Sequence, residues 1–179
     1  MSGAERRPST HWDRRPEGLP IDLLVIHNIS LPPGEFGGPW IDDLFLGRLD
    51  PLAHPYFAVA TAAGRVSAHL LIRRDGYLVQ YVPFGLRAWH AGRSSFQGRE
   101  GCNDFSIGIE LEGDDNTPFE PEQYRTLIRA TRLIMAHYPA IDLGRIRGHS
   151  DIAPGRKSDP GPCFDWGLYL AALGRQTSR

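Results

Sequence analysis

The stretch Gly148-His149-Ser150-Asp151-Ile152-Ala153-Pro154-Gly155-Arg156-Lys157-Ser158-Asp159-Pro160-Gly161-Pro162 constrains this chain more than any other. Pro154, Pro160 and Pro162 lack the N–H that a helix interior or a sheet ladder needs, so the segment reads as a loop. Its polar side chains are then held near one another by the loop itself. A histidine and a carboxylate that converge there, His149 and Asp159, could bind a metal, and the nearby Lys157 could stabilise an anion. Lys157 is the single lysine of the chain, whose basic residues are otherwise arginines and histidines. A second histidine, His27, ends an apolar run far upstream and could complete the set.

A length of 179 residues suits one domain with a real hydrophobic core. With 41% hydrophobic and 23% charged residues the composition is that of a globular protein. The net charge is -1 and the basic residues are spread along the chain, which gives no electrostatic case for nucleic acid. No apolar run approaches the roughly 20 residues of a membrane span. The first twenty residues are charged and broken by prolines, with no apolar stretch like that of a secretory signal, so a cytoplasmic location is expected. In that compartment Cys102 and Cys163 are expected as reduced thiols.

Residues 1 to 20 read as an irregular N-terminal arm, and residues 21 to 179 as the folded domain. Ile21 to His27 is a short run rich in branched residues, read as a buried strand. Residues 28 to 55 hold five prolines and four glycines, a loop long enough to be functional, with a short helix over Pro39 to Leu46. Residues 67–72 and 77–82 read as two strands, and the Asp75-Gly76 pair between them is a hairpin signal. Ser106 to Glu112 is a fourth strand. Pro121 to Tyr138 carries Tyr124, Leu127, Ile128, Thr131, Ile134, Met135 and Tyr138 at helical spacing, and Pro139 stops it. Arg145 to His149 is a fifth short strand, and Asp165 caps a terminal helix that closes near Gly174. Strands alternating with helices imply a single α/β domain around a mixed sheet.

Three-ligand zinc sites use neutral imidazoles with a carboxylate or thiolate and leave one position open. His27 and His149 fall at the predicted C-terminal ends of strands, where open α/β sheets bind ligands. Spacing alone favours the plainer reading of two hydrogen-bonded histidines and a turn aspartate, since no short-range motif such as HExxH is present. Glu110 alternates with Ile109 and Leu111. It is either a general base near the metal or part of a solvated face. Glu112 is expected on that solvated face. His90, in Ala88-Trp89-His90-Ala91-Gly92, either contacts a sugar or peptide or packs around Trp89. His69 reads as structural, and His11, His54 and His137 have no converging partners.

Together these segments resemble a known family. Leu24-Val25-Ile26-His27-Asn28, Val66-Ser67-Ala68-His69, Ala88-Trp89-His90-Ala91-Gly92, Cys102-Asn103-Asp104-Phe105-Ser106-Ile107-Gly108-Ile109-Glu110-Leu111-Glu112-Gly113, Gly148-His149-Ser150-Asp151 and Lys157-Ser158-Asp159-Pro160-Gly161-Pro162 occur in the order found in AmpD-type 1,6-anhydro-N-acetylmuramyl-L-alanine amidases. These belong to the amidase-2 group, which shares its fold with T7-type lysozyme amidases and peptidoglycan recognition proteins. The match runs from about His11 to about Trp166. It implies an α/β domain with a central mixed sheet of five to six strands flanked by helices, so that residues 21 to 179 form a zinc amidase domain. It implies one zinc ion per chain on His27, His149 and Asp159, with Glu110 and Lys157 catalytic and Asn28 and His90 lining the substrate groove. The implied activity is cleavage of the lactyl–L-alanine amide of anhydromuropeptides in peptidoglycan recycling, with effects on β-lactamase induction, by a cytoplasmic monomer. The alternatives are a non-catalytic muropeptide-binding module on the same fold and an amidase of broader murein specificity.

Overall fold

A six-stranded sheet forms the centre of the computed structural model, which describes residues 3–62 and 64–175. In chain order the strands are β1 (Glu5–Arg6), β2 (Trp12–Arg14), β3 (Leu23–Ile29), β4 (Leu70–Ile72), β5 (Leu78–Gln80), β6 (Leu86–Ala88), β7 (Ser95–Phe96), β8 (Arg99–Glu100), β9 (Ser106–Glu112) and β10 (Ile146–Gly148). The large sheet has the order β1-β5-β4-β9-β3-β10, and its one antiparallel pair is β4–β5. That pair is the expected hairpin, turned at Gly76, whose φ of 81° suits glycine. β2 pairs with β6, and β7 with β8, in two small antiparallel ribbons. The helices are α1 (Trp40–Phe45), α2 (Pro55–Ala62), α3 (Pro121–His137), α4 (His149–Ile152) and α5 (Trp166–Gly174).

β3 and β9 are interior strands covered on both sides. β3 is apolar from Leu23 to Ile26, as a strand buried on both faces can be, whereas β9 alternates, with Ile107, Ile109 and Leu111 on one face and Ser106, Gly108, Glu110 and Glu112 on the other. Leu24, Ile26, Ile107, Ile109 and Leu111 face α3 and α5, meeting Leu127, Ile134 and Tyr169. Across the sheet, Leu71 and Val79 pack on Ile41, Phe45 and Phe57 of α1 and α2. Leu23 and Val25 pack on Phe105 and Ile152. α3 starts at Pro121, where the Glu120 N–H donates to Gln123 Oε1 at 3.0 Å, and it ends before Pro139. Asp165 caps α5 by accepting from the Leu168 N–H at 2.8 Å.

Three sequence expectations change. The first concerns residues 5–6 and 12–14, read as part of an irregular arm: they are strands, β1 on β5 and β2 on β6. Arg15 then reaches inward, donating to the carbonyl oxygens of Phe84, Asn103, Asp104 and Ser106 at 2.7–3.1 Å. A strand of two or three residues is too short to carry a period, so this tethering left no mark in the sequence. Residues 1–2 and 176–179 of the expected arm and domain lie outside the described residues.

The second is the proline-rich segment, read as a loop entered from a strand ending at His149: β10 stops at Gly148 and His149–Ile152 form the short helix α4, complete before Pro154. α2, over a stretch where the sequence carried no signal, has apolar residues on all sides and no helical stripe. Only Phe57 in it is buried.

The third is Glu112, expected on a solvated face and found buried. The loop before α1 covers it, so that its Oε1 accepts from the Gly37 N–H at 2.7 Å and from Arg73 at 3.0 Å. Cys102 and Cys163 are both free thiols. No helix among the described residues is long and apolar enough to cross a membrane.

Candidate metal centre and its groove

Parallel pairing of β3 with β9 sets His27 directly beside Glu110. Register partners share one face of the sheet, so both side chains leave toward the same side. β10 runs parallel to β3 on its other flank and ends at Gly148, which delivers His149 as the first residue of α4. Asp159 arrives from the proline-rich loop, held where its carbonyl oxygen accepts from the Ser150 N–H at 2.9 Å. His27 Nδ1 lies 3.0 Å from His149 Nδ1 and 3.0 Å from Asp159 Oδ2, and His149 Nδ1 lies 3.1 Å from the same oxygen. All three residues are buried. The site therefore sits toward the C-terminal ends of parallel strands.

The chemistry of this triangle fits a cation. His149 Nε2 lies 3.0 Å from the Ala91 carbonyl oxygen, which only accepts, and 3.3 Å from Arg156 Nη2, which only donates; the shorter, carbonyl contact favours the tautomer with the ring proton on Nε2. A neutral His149 then turns an Nδ1 lone pair toward the Asp159 carboxylate. Two acceptors facing each other at 3.1 Å need a positive group between them. A tetrahedral zinc with bonds of about 2.0–2.1 Å has ligand-to-ligand edges of about 3.3 Å, close to the spacings found. Burial lowers His27 to about 4, the first requirement for a neutral ligand. Burial also pushes the Asp159 carboxyl up, but the His149 and His27 imidazoles set against it outweigh that and hold it well below the usual carboxylate range. Two imidazoles and one carboxylate suit zinc, and three protein ligands leave the fourth position open.

A groove of about 610 Å³ opens over the triangle and is also lined by Glu110 and Lys157. Glu110 is buried, and its Oε2 has no hydrogen-bond partner among the described residues. Burial raises its carboxyl well above the ordinary value, the negative charge of Asp159 adds to this, and Lys157 opposes it. Leu31, Tyr56, Val59, Ala60, Val66 and Trp89 give the groove apolar lining, and Asn28, Asp114, Asp115 and Arg156 polar lining. The α2 contribution, Tyr56, Val59 and Ala60, carried no signal in the sequence, like the helix itself. Arg156 also went unnoticed; it braces the site by donating to the carbonyl oxygens of Ala91 and Arg93, both at 2.7 Å.

Asn28 and His90 line the same groove, yet Asn28 Nδ2 and both His90 ring nitrogens are engaged by the protein. Asn28 Nδ2 donates to Asp115 Oδ1 at 2.7 Å and to the Pro160 carbonyl at 3.1 Å. His90 contacts His27 and Ser106. His69 is structural, as expected: its Nδ1 accepts from the Gly108 N–H at 3.0 Å.

Fold and site together define a single-domain α/β protein with a potential metal-binding group set in an open groove. Residues 17–162 match the N-acetylmuramoyl-L-alanine amidase family, Amidase_2, and the chain belongs to that family. It is 59% identical over 178 residues to the 1,6-anhydro-N-acetylmuramyl-L-alanine amidase AmpD of Escherichia coli K12, covering 99% of this chain and 96% of that protein. A crystal structure of a selenomethionine AmpD derivative superposes with a TM-score of 0.93 at 60% identity, covering 97% of this chain and 96% of the other. The amidase AmiD of E. coli, solved in complex with the substrate anhydro-N-acetylmuramic acid-L-Ala-D-γ-Glu-L-Lys, superposes at 33% identity and a TM-score of 0.63, covering 90% of this chain and 61% of its own.

Proposed function

We propose that this chain is a zinc-dependent amidase that hydrolyses the amide between the lactyl group of 1,6-anhydro-N-acetylmuramic acid and L-alanine, as a step of peptidoglycan recycling. One observation carries the reading: the buried Oε2 of Glu110, without a hydrogen-bond partner among the described residues, shares a single groove with the His27–His149–Asp159 triangle. A module that only held muropeptide would gain nothing from an unpaired buried carboxyl oxygen, which costs about 1–3 kcal/mol. The near-complete alignment with AmpD amidases supports the substrate class.

His27, His149 and Asp159 would hold the ion. Bound there, zinc supplies Lewis acidity, acidifying water and polarising a carbonyl. Glu110 takes a proton from the attacking water and returns it to the leaving alanine nitrogen. The carbonyl carbon gains the water oxygen, the C–N bond breaks, and the muramic carboxylate and stem peptide separate. Lys157 brings a positive charge to the oxyanion that develops on the carbonyl oxygen. The raised affinity of Glu110 for protons suits a group that must both accept and return one. The resemblance to the family further implies a cytoplasmic monomer, and both belong to the proposal.

Metal analysis of the purified chain, combined with mass spectrometry of products from 1,6-anhydro and reducing-end muropeptides, tests this. About one zinc per chain and release of free stem peptide, faster from the anhydro substrate, are expected. Binding without release would make the chain a recognition module. Equal cleavage of both substrates would make it a broader murein amidase.

A further inference from the structure

His27 does not end at the metal group. Its Nε2 lies 2.9 Å from His90 Nδ1, and His90 Nε2 lies 3.1 Å from Ser106 Oγ. His27, His90 and Ser106 are all buried, and the two rings meet edge to face, with centroids 5.0 Å apart at 81°. Proton placement along this row follows from His27. Its Nδ1 faces Asp159 and His149 as a ligand atom, so its ring proton sits on Nε2. His90 Nδ1 is then the acceptor, and the neutral His90 ring carries its own proton on Nε2 and gives it to the Ser106 hydroxyl oxygen.

The surroundings hold His90 in this role. Its backbone N–H and that of Ala91 both donate to Asn103 Oδ1, at 3.1 and 2.8 Å. Gly108, between Ser106 and Glu110 on the same face of β9, lies against the ring so closely that a Cβ there would overlap it. The glycine in mid-strand makes room for His90. This accounts for a residue that otherwise weakens a strand.

We propose that His90 is a positioning residue of the metal centre: it accepts the His27 Nε2–H and so fixes the tautomer and ring plane that present His27 Nδ1 to the ion. The inference rests on the zinc reading above. Metal-bound histidines usually donate their second N–H to a carboxylate, a backbone carbonyl or water, and His149 follows that pattern through Ala91. A neutral imidazole in that place orients His27 without adding negative charge, which leaves more of the ion's positive charge available to a substrate carbonyl.

The test is zinc affinity of the full chain, measured by competition with a chromophoric chelator for the wild type, His90→Asn and His90→Leu. The asparagine oxygen can take the place of Nδ1 as acceptor, whereas leucine has nearly the same shape and no acceptor. His90→Leu is expected to weaken zinc binding by about 10–100-fold, with His90→Asn within about threefold of wild type, the usual size of such outer-shell effects. Wild-type affinity in His90→Leu, or equal loss in both folded variants, overturns the inference while leaving the amidase reading intact. A wild-type chain without zinc affinity overturns both. Should the leucine variant fail to fold, the ring nitrogen shifts of the wild-type chain decide. A protonated Nε2 and bare Nδ1 on His90 support the assignment, and a protonated Nδ1 overturns it.

Discussion

His27 and Glu110 are register partners on adjacent parallel strands, so the backbone ladder itself sets the metal-ligand candidate beside the carboxyl group. The two roles are nonetheless separable, because Glu110 is outside the converging group of donor atoms. Glu110→Gln should keep stoichiometric zinc and lose turnover by about 10²–10⁴-fold. His149→Ala and Asp159→Ala should lose both. Metal content and anhydromuropeptide cleavage, measured on the same preparations, check this. Full activity in Glu110→Gln would remove Glu110 from the chemistry.

The same carboxyl links function to stability. Its affinity for protons is higher folded than unfolded, because burial disfavours the charged form. The folded chain therefore binds more protons at this position, and stability falls as pH rises through the folded value. In chelator, Glu110→Gln should be more stable than wild type by about 1–3 kcal/mol at pH 8. The gap should close as pH falls below the ordinary value of about 4.5. Urea unfolding midpoints across pH measure it. A gap that widens on acidification would contradict the sign.

Much of this was legible in the sequence, for identifiable reasons. β9 was placed residue for residue because Ile107, Ile109 and Leu111 alternate with small or polar residues up to Gly113, and α3 because its apolar stripe repeats over seventeen residues between two prolines. The prolines of the late segment marked His149, Lys157 and Asp159 as neighbours, although its first residues, read as loop, form the short helix α4 before Pro154. Spacing alone could not select metal binding: His27 and Asp159 are 132 residues apart, and only the sheet order brings them together. Glu112 was misplaced for a related reason. Alternation puts it on the second face of β9, but only the tertiary fold shows that Gly37 and Arg73 cover that face.

Asn28 follows His27 on β3 and ties two loops together through Asp115 and Pro160. Pro160 is the residue after the metal-ligand candidate Asp159, so losing this tie should loosen Asp159. Asn28→Ala is expected to weaken zinc binding by about tenfold, a typical effect for outer-shell partners. Chelator competition reads this directly. Unchanged zinc affinity with a raised KM would instead assign Asn28 to substrate contact.

Arg15 is the pin of the N-terminal segment. Burial lowers its guanidinium to about 10, and four backbone carbonyl oxygens accept from it. Arg15→Ala leaves those acceptors without a partner and should cost about 3 kcal/mol or more. Lysine lacks the planar fork of donors and should rescue little of it. Denaturant unfolding of both variants tests this. A loss under about 0.5 kcal/mol, the range of ordinary surface changes, would show that the segment is only loosely attached.

Gly108→Ala tests the packing that joins the fold to the site. The added methyl overlaps the His90 ring, and the Gly108 N–H also donates to His69 Nδ1, so the strand cannot shift without breaking that bond. Overpacking of this kind costs about 1–3 kcal/mol. The displaced ring is His90, so the loss of stability should come with weaker zinc binding. Glu110 stands two residues along the same strand face and remains in register with His27. Unfolding midpoints in chelator and zinc affinity, taken together, read both effects. A variant as stable as wild type, with unchanged zinc affinity, would show that the β9 backbone yields to the methyl and that the ring is not wedged in place.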